Sequence, residues 1–245
     1  MSDWLANGLI LLAGMAIGAT SIGGVLVVPA LSGLAGMPLA QAVAAASLAF
    51  LPTGVMGWLS ARRHAAPGAC AWPLNVAALA GAVAGAAFAH AMPAGPARIG
   101  LALLAAGAGL FGLVPASATA SARPMPGRTA QIALGLAVGF LSAASGTGGP
   151  VLLLPLLMLW RAPTIAAISA AMAIQLPVAA AASATHLLAG ELPAALGVQI
   201  SVTLLAGAWA GRCLARRWPP RVLRVIASLC LIGVAGWYGL SFRSP

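Results

Sequence analysis

The chain has 245 residues, of which 62% are hydrophobic and only 6% are charged, and its mean hydropathy is +1.04. This composition excludes a soluble globular domain and is typical of a polytopic helical membrane protein. The net charge of +10 comes from twelve arginines against Asp3 and Glu191. Because the arginines stand in short links between apolar runs, they form no basic face for nucleic acid. No basic segment or separate cleavage site marks the first run as a signal peptide, so we expect it to be retained.

Ten apolar runs follow one another along the chain, and none shows the alternation expected of a strand. Runs of about 20 residues predict transmembrane helices, whereas shorter runs predict short or re-entrant segments. The runs span residues 5–20, 25–35, 39–60, 71–92, 99–114, 132–145, 151–160, 164–188, 194–215 and 222–240. The longest polar gap, residues 115–131, is rich in Ser, Ala and Pro. It divides a single transmembrane domain, residues 1–245, into halves at about 5–114 and 132–241.

A glycine-rich break interrupts the apolar sequence in each half. Residues 146–150 contain three glycines and a proline, and the first half carries the pair Gly23 and Gly24. A helix cannot easily run through residues of these types. At membrane depth such a break survives only if it is buried in protein or lines a polar cavity. An ordinary glycine-rich turn at the membrane surface is the alternative, and the stretch alone favours neither.

The two halves are internal repeats. Ala and Leu are so frequent in this sequence that they would match by chance, whereas matches between glycines and between prolines are informative. The matching positions are Gly14 and Gly18 with Gly135 and Gly139, Gly23 and Gly24 with Gly148 and Gly149, Pro29 with Pro155, Pro38 with Pro163, Pro52 with Pro177, and Gly81 and Gly85 with Gly207 and Gly211. Nearly constant spacing over so many positions indicates duplication.

Charge then predicts the orientation of the repeats. Each half holds five runs. If the short pair begins and ends on the same side of the membrane, the three longer runs give an odd number of crossings. The second half is then inverted relative to the first. If the N-terminus is outside, ten of the twelve arginines fall inside and only Arg98 and Arg243 fall outside, with Asp3 and Glu191. This is a strong positive-inside bias. The sequence therefore predicts an all-α polytopic membrane protein of two inverted repeats. Each repeat has a short helix pair broken at Gly-Gly and then three transmembrane helices, and the link 115–131 is cytoplasmic.

The breaks are the candidate binding site. Helices that start at Gly24 and Gly149 would offer free N–H groups and a positive dipole end, which suit an anion without a buried cation. Inverted repeats with broken helices that meet near the midplane suit alternating access. The candidate substrate-binding residues are Ser21, Gly23, Gly24, Ser145, Gly146, Thr147, Gly148, Gly149 and Gln175.

Pro52 and Pro177 occupy equivalent positions inside long runs. Each removes one backbone hydrogen bond and frees a carbonyl four residues earlier. A packing kink and a gating role explain these prolines equally well. Gln175 stands two residues before the second proline, where an amide either bonds across helices or faces a cavity.

The remaining polar residues predict little chemistry. His90 and His186 stand near run ends and are interpreted as interfacial. Cys70, Cys213 and Cys230 match no metal or redox spacing and are interpreted as small apolar side chains. We expect no catalytic site, no metal and no cofactor. No carboxylate lies inside a run, which disfavours a carboxylate proton relay and leaves facilitated diffusion, anion exchange or a histidine-based route.

The motif at residues 145–150 (SGTGGP), followed by Pro155, resembles the second-half signature of the TauE/SafE family, the sulfite exporter family of bacterial membrane proteins. Residues 21–29 (SIGGVLVVP) look like the matching first-half signature, although the family has a further glycine where this chain has Ser21 or Ile22. The resemblance covers nearly the whole chain. It implies transport of sulfur-containing anions, such as sulfite or organosulfonates, across the bacterial inner membrane.

Three functions fit these observations. The first is a permease or exporter of small sulfur oxyanions or organosulfonates, with the bilayer and the anion as its only expected partners. The second is an anion channel that uses the same helix N-termini. The third is an integral membrane assembly or partner-binding protein, which the lack of long, sequence-rich loops disfavours. The sequence does not define the substrate, the direction of transport, the coupling ion or the oligomeric state.

Overall fold

The computed structural model of the protein describes residues 2–21, 23–64, 72–113, 123–215 and 217–240, and all regular structure in these residues is helical. The first half contains α1 (Ser2–Thr20), a 3₁₀ turn (Gly24–Leu26), one turn of α-helix α2 (Val27–Pro29), a π turn (Ala30–Leu34), α3 (Leu39–His64), α4 (Trp72–Ala91) and α5 (Ala94–Leu113). The second half contains α6 (Arg128–Ser145), α7 (Pro150–Leu159), α8 (Thr164–Leu188), α9 (Ala194–Ala215) and α10 (Pro220–Leu240). The continuous segment Gly24–Leu34 is called the first short helix, and α7 is its counterpart.

The helices expose apolar side chains and bury small ones, as membrane helices do. Four are long and apolar enough to cross a membrane, namely Leu39–Arg63, Trp72–Ala91, Thr164–Leu188 and Ala194–Ala215. Leu103 and Trp209 are each 68% exposed, while the buried residues are mostly alanines with some leucine and valine. Lipid tails accept the exposed side chains, and small buried residues let helix backbones approach closely. The protein is therefore a multi-pass membrane protein.

Each half sends its first helix to the other half. Helix α1 packs against α9, and α6 packs against α4. In the first pair, a Cβ on Gly14 would collide with the carbonyl oxygen of Leu204, and a Cβ on Gly18 would collide with that of Ala208. The contacts advance in the same direction along both helices. Glycine is required at these positions because only a residue without a Cβ permits so close a crossing.

The second pair repeats this arrangement with the equivalent glycines. A Cβ on Gly81 would collide with the carbonyl oxygen of Leu136, and a Cβ on Gly85 would collide with that of Phe140. These contacts also advance in the same direction along α4 and α6. The glycines matched between the halves in the sequence therefore form two equivalent helix crossings.

Helices α3 and α8 form the centre of the molecule, and they pack against each other. Gly54 lies against Leu176, and three residues later Gly57 lies against Met172. These contacts advance in opposite directions, so α3 and α8 run antiparallel. Both helices continue through their prolines, Pro52 and Pro177.

The bundle has two ends that differ in charge. At the end called the Glu191 end, α4 and α8 finish and α5 and α9 begin. At the opposite arginine end, α3 and α9 finish and α6 and α8 begin. There the N–H of Arg123 donates to the carbonyl oxygen of Arg161 at 2.9 Å, which ties the link between the halves to the turn after α7.

Several helix boundaries differ from those predicted. Helix α5 begins at Ala94 and α6 at Arg128, a full turn before the apolar runs at 99 and 132. Hydropathy marks only the part of a helix that lipid covers, so polar end turns escape it. The first short helix is also not a regular α-helix, since it opens with a 3₁₀ turn and closes with a π turn after Pro29. Residues 115–122 of the predicted link and Cys70 lie outside the described residues.

Candidate functional site

The second break is a buried loop of unusual backbone between α6 and α7. Gly146, Gly148 and Gly149 have φ of 65°, 83° and 95°. Glycine adopts positive φ without the penalty that a Cβ brings. Pro150 then starts α7, where its missing N–H costs nothing. No hydrogen bond within the described residues engages the N–H groups of Gly148 and Gly149, so two donors at the start of α7 remain open.

The first break is buried as well but is built differently. Ser21 is 8% exposed and holds a φ of 62°, which is uncommon for a residue with a side chain. Gly23 has an ordinary negative φ of −152° and is packed on α1, where a Cβ would collide with the carbonyl oxygen of Ala13. The residue between them, Ile22, lies outside the described residues. The two breaks therefore match in sequence but not in backbone conformation.

The two breaks are in contact with each other. A Cβ on Gly24 would collide with the carbonyl oxygen of Thr147. The ring of Phe50, which is 1% exposed, lies against both breaks: a Cβ would be 3.2 Å from its Cζ at Gly24 and 3.1 Å from its Cδ2 at Gly148. Phe50 thus fills the space where the breaks meet, although nothing in the sequence distinguished it from other apolar residues.

Gln175 occupies the position in α8 that corresponds to Phe50 in α3. It is 4% exposed, and its Nε2 donates to Oγ1 of Thr53 at 2.8 Å. The Thr53 hydroxyl in turn donates to the carbonyl oxygen of Phe50 at 3.1 Å. Backbone atoms of Gln175 lie against Gly149. Both situations predicted for this residue are observed, because it bonds across helices to Thr53 and also lines a small cavity.

The hydroxyls of the second break have partners inside the protein. Ser145 Oγ donates to the carbonyl oxygen of Leu141 at 2.6 Å, and it lies 3.0 Å from Oγ1 of Thr147. Since the proton of Ser145 is already used, the Thr147 hydroxyl donates to Ser145. Both hydroxyl protons are used inside the protein in this conformation, and a role of Ser145 and Thr147 in binding an anion stays a prediction. The open donors of this break are backbone N–H groups.

A larger cavity reaches the breaks from the Glu191 end. It has a volume of about 230 Å³ and is lined by Pro38, Leu39, Ala40, Val43, Ala89, His90, Met92, Ala97, Leu101, Ala144 and Ser145. It ends at Ser145, the last residue of α6.

A smaller cavity reaches the breaks from the arginine end. Its volume of about 20 Å³ is enough for roughly one water molecule. It is lined by Ile17, Gly18, Ser21, Thr53, Met56, Gly57, Met172, Gln175, Ala208 and Arg212. Arg212, which the sequence suggested only as a topology signal, therefore contributes a cation to a cavity that ends at the first break.

The closed region between the cavities contains Phe50. On α3 the larger cavity touches residues up to Val43 and the smaller one begins at Thr53. Ten residues of helix separate these points by about 15 Å. The two cavities thus approach the breaks from opposite ends and do not join.

The kink residues lie next to this region. Pro52 follows Phe50 by two residues, and Pro177 follows Gln175 by two. The carbonyl of Leu48, which Pro52 leaves without its helical partner, is 3.5 Å from the hydroxyl of Ser201 on α9. That hydroxyl bonds more closely to the carbonyl oxygen of Gly197, at 2.7 Å. The contact is weak, so the carbonyl keeps most of its capacity to accept a further bond.

A cluster that the sequence did not suggest lies at the Glu191 end. His186 is buried within the bundle in the last turn of α8, and its Nδ1 is 3.1 Å from Nε2 of His90. His90 Nδ1 is 2.6 Å from Oε2 of Glu191. Among the described residues, no group of three or more side chains is arranged to hold a metal ion. The topology predicted from the sequence could have suggested this cluster, because it places the ends of α4 and α8 and the loop at Glu191 on one side of the membrane.

Buried helix breaks that meet at membrane depth, with cavities on either side, are features of membrane transporters. A family model described as "Sulfite exporter TauE/SafE" matches residues 6–238, nearly the whole chain. The chain therefore belongs to the TauE/SafE family, which confirms the resemblance found in the sequence. No curated protein and no solved structure matches the chain. The family is one of membrane transporters of sulfur-containing anions.

Proposed function

We propose that this protein transports small sulfur oxyanions or organosulfonates across the bacterial inner membrane, and that the anion binds where the two breaks meet. The observation that carries the proposal is the contact between Gly24 and Thr147 beside the open N–H groups of Gly148 and Gly149. Backbone donors at a helix start attract an anion through both hydrogen bonds and the helix dipole.

Arg212 supports an anionic substrate from the opposite side. It lines the smaller cavity together with Ser21 and Gln175. A guanidinium presents several donors in a fixed plane and suits oxyanions such as sulfite or a sulfonate group. An anion that passes the breaks would therefore meet backbone donors first and this cation next, or in the reverse order during export.

Alternating access is the mechanism we propose. The equivalent crossings of α1 with α9 and of α6 with α4, and the antiparallel run of α3 and α8, support two inverted repeats. In such proteins one repeat rocks against the other around a fixed site. A cavity of about 230 Å³ on one side against about 20 Å³ on the other fits a state that faces the Glu191 end. Movement of α3 and α8 at Pro52 and Pro177 would close one cavity and open the other.

A channel remains the alternative function, and Phe50 favours a carrier over it. A channel needs one continuous path when it is open, whereas a carrier keeps the path closed on one side at all times. The Phe50 ring fills the space between the breaks, and the cavities do not join.

Flux into proteoliposomes tests the proposal. The purified protein is offered [³⁵S]sulfite, [³⁵S]sulfate, [³⁵S]thiosulfate and [³⁵S]taurine, with protein-free vesicles as the control. We expect saturable uptake of at least one anion and faster uptake when the same unlabelled anion is loaded inside. Uptake that rises with concentration without saturation, and that shows no acceleration by internal anion, would indicate a channel. No uptake of any of the four by folded protein would contradict the proposal.

A further inference from the structure

Three ionisable side chains at the Glu191 end form a continuous hydrogen-bonded chain. It runs from Oε2 of Glu191 to Nδ1 of His90 at 2.6 Å, and from Nε2 of His90 to Nδ1 of His186 at 3.1 Å. Exposure falls along the chain, from 45% for the Glu191 side chain through 18% for His90 to 0% for His186. The chain therefore connects water at one end of the bundle to a buried position. We call it the His–Glu chain.

The bonding pattern defines where each proton resides. An ionised carboxylate only accepts, so Nδ1 of His90 carries a proton and donates it to Glu191. In neutral His90 the other nitrogen, Nε2, must then accept, so Nδ1 of His186 donates. Nε2 of neutral His186 is left as an acceptor, and this buried atom has no hydrogen-bond partner. The inner end of the chain is thus an unoccupied basic site.

We propose that the His–Glu chain binds the proton that couples anion transport to the pH gradient. The inference rests on the proposed transport function and adds the identity of the coupling ion. A buried acceptor without a hydrogen-bond partner costs free energy, so its presence here indicates a functional role. Proton relays through histidines and carboxylates are an established use of ionisable groups in membrane proteins.

Binding of one proton need not leave a charge in the interior. When a proton binds Nε2 of His186, the proton on its Nδ1 moves to Nε2 of His90, and the proton on Nδ1 of His90 moves to Glu191. The carboxylate becomes a neutral carboxylic acid, and both hydrogen bonds persist with donor and acceptor exchanged. One proton has entered, and the net charge of the chain has changed from −1 to 0. The same transfers in the opposite order move a proton from Glu191 towards His186 and release one from Nε2 of His186.

The chain lies next to the proposed anion path. His90 lines the larger cavity, which ends at Ser145 of the second break. On α8, His186 follows Gln175 by 11 residues, or about three turns, so both side chains lie on one face of the helix. Ser183 is buried between them, and its hydroxyl has no hydrogen-bond partner. A change of charge in the chain therefore takes place beside the route of the anion.

Few other charges act on the chain. Among the described residues at this end, the remaining ionisable ones are Asp3 near the start of α1 and Arg98 near the start of α5, whose Ala97 and Leu101 line the same cavity. Helices α3, α6 and α9 present apolar or uncharged residues there.

Two flux measurements in proteoliposomes test the inference. The first is exchange of [³⁵S]thiosulfate or [³⁵S]sulfite at equal pH on both sides, with protein-free vesicles as the control for sulfite. The second is accumulation of the same anion when the outside is made one pH unit more acidic. One proton per anion gives an additional accumulation of about tenfold from such a gradient. The variants are Glu191→Gln and His186→Gln, and the control is Thr185→Val, whose hydroxyl bonds only to its own helix at Ala181.

We expect both variants to exchange the anion at rates near wild type and to lose the gradient-driven accumulation, while Thr185→Val keeps it. Because Glu191 is exposed, we expect Glu191→Gln to fold, and its accumulation can be measured even if His186→Gln does not fold. Accumulation by Glu191→Gln equal to that of wild type would overturn the inference. Exchange by wild type that ignores the pH gradient would overturn it too and would leave the transport function intact. Absence of exchange in folded wild-type protein would remove the transport function, and the inference with it.

Discussion

At the scale of single residues, the site depends on backbone that only glycine adopts readily. Gly148 has a φ of 83° and lies against Phe50, whereas Gly36 has a φ of 69° and has no neighbour within 4 Å of where a Cβ would be. The two glycines share the same conformational requirement but not the same surroundings. They therefore separate the cost of backbone strain from a contact at the site.

We predict that Gly148→Ala abolishes anion uptake and that Gly36→Ala does not. Both substitutions force a left-handed conformation on a residue with a Cβ, at a cost of about 1–2 kcal/mol in unfolding free energy. Only the alanine at 148 would also press on the Phe50 ring and crowd the open N–H groups. Thermal unfolding in detergent measures the shared loss, and initial uptake rates in proteoliposomes measure the difference. Equal uptake by both variants would mean that the second break is only a turn.

Arg212 leads to a second prediction at this scale. Replacement by Gln should weaken anion binding by about 1.5–3 kcal/mol, the usual contribution of a hydrogen bond to a charged group. This corresponds to a rise in the half-saturation concentration of roughly 10- to 100-fold. The matched control is Arg217→Gln, because Arg217 is exposed at the same end and lines neither cavity. Similar saturation curves for both variants would remove Arg212 from the anion path.

Residue types limited what the sequence could predict about the site. Glycine, proline and the hydroxyls near them were recognisable because their backbone requirements are local. Phe50 and Arg212 were not, because one resembles any apolar core residue and the other any topology signal until the fold brings it to the breaks. The partners of Ser145 and Thr147 depend on side-chain geometry over one turn, which no sequence pattern specifies.

At the scale of helices, glycine spacing decides which helices touch. Gly81 faces the backbone of α6, while Gly100, in the middle of an exposed helix, has no neighbour within 4 Å of a Cβ position. The sequence identified both glycine pairs as equivalent positions of the repeats. It did not identify their partners, because the spacing of small residues shows that a close crossing exists but not with which helix it forms.

We predict that Gly81→Leu prevents the close crossing of α4 and α6 and that Gly100→Leu is tolerated. Overpacking costs about 1–3 kcal/mol, and here the obstacle is backbone, which moves less readily than a side chain. Thermal unfolding of the detergent-solubilised protein should show a clear loss of stability for Gly81→Leu alone. A comparable change in the two proteins would contradict the view that this crossing holds the halves together.

At the scale of the whole molecule, charge distribution predicts how the protein sits in the bilayer. Arg62, Arg123, Arg161 and Arg212 gather at one end of the bundle, and Glu191 lies at the other. From this distribution and the positive-inside rule, we predict that the arginine end faces the cytoplasm.

We predict that Ser121→Cys is labelled only from the cytoplasm and Leu188→Cys only from the periplasm. Ser121 belongs to the predicted link and lies outside the described residues, and Leu188 is 89% exposed at the Glu191 end. The background protein has Cys70, Cys213 and Cys230 replaced by Ser. Labelling of intact cells with a membrane-impermeant maleimide distinguishes the two sides. Modification of Ser121→Cys in intact cells would reverse the proposed topology.

The exchange of first helices between the halves has a consequence for biogenesis. Helix α1 leaves the ribosome long before its partner α9, which begins only at Ala194. Until then the glycine face of α1, with its exposed main-chain polar surface, has nothing to cover it except lipid or an insertion chaperone. Helix α6 has no such delay, because its partner α4 is already made when α6 emerges. The N-terminal half is therefore the vulnerable intermediate of assembly, and quality-control proteases would meet the chain in that form.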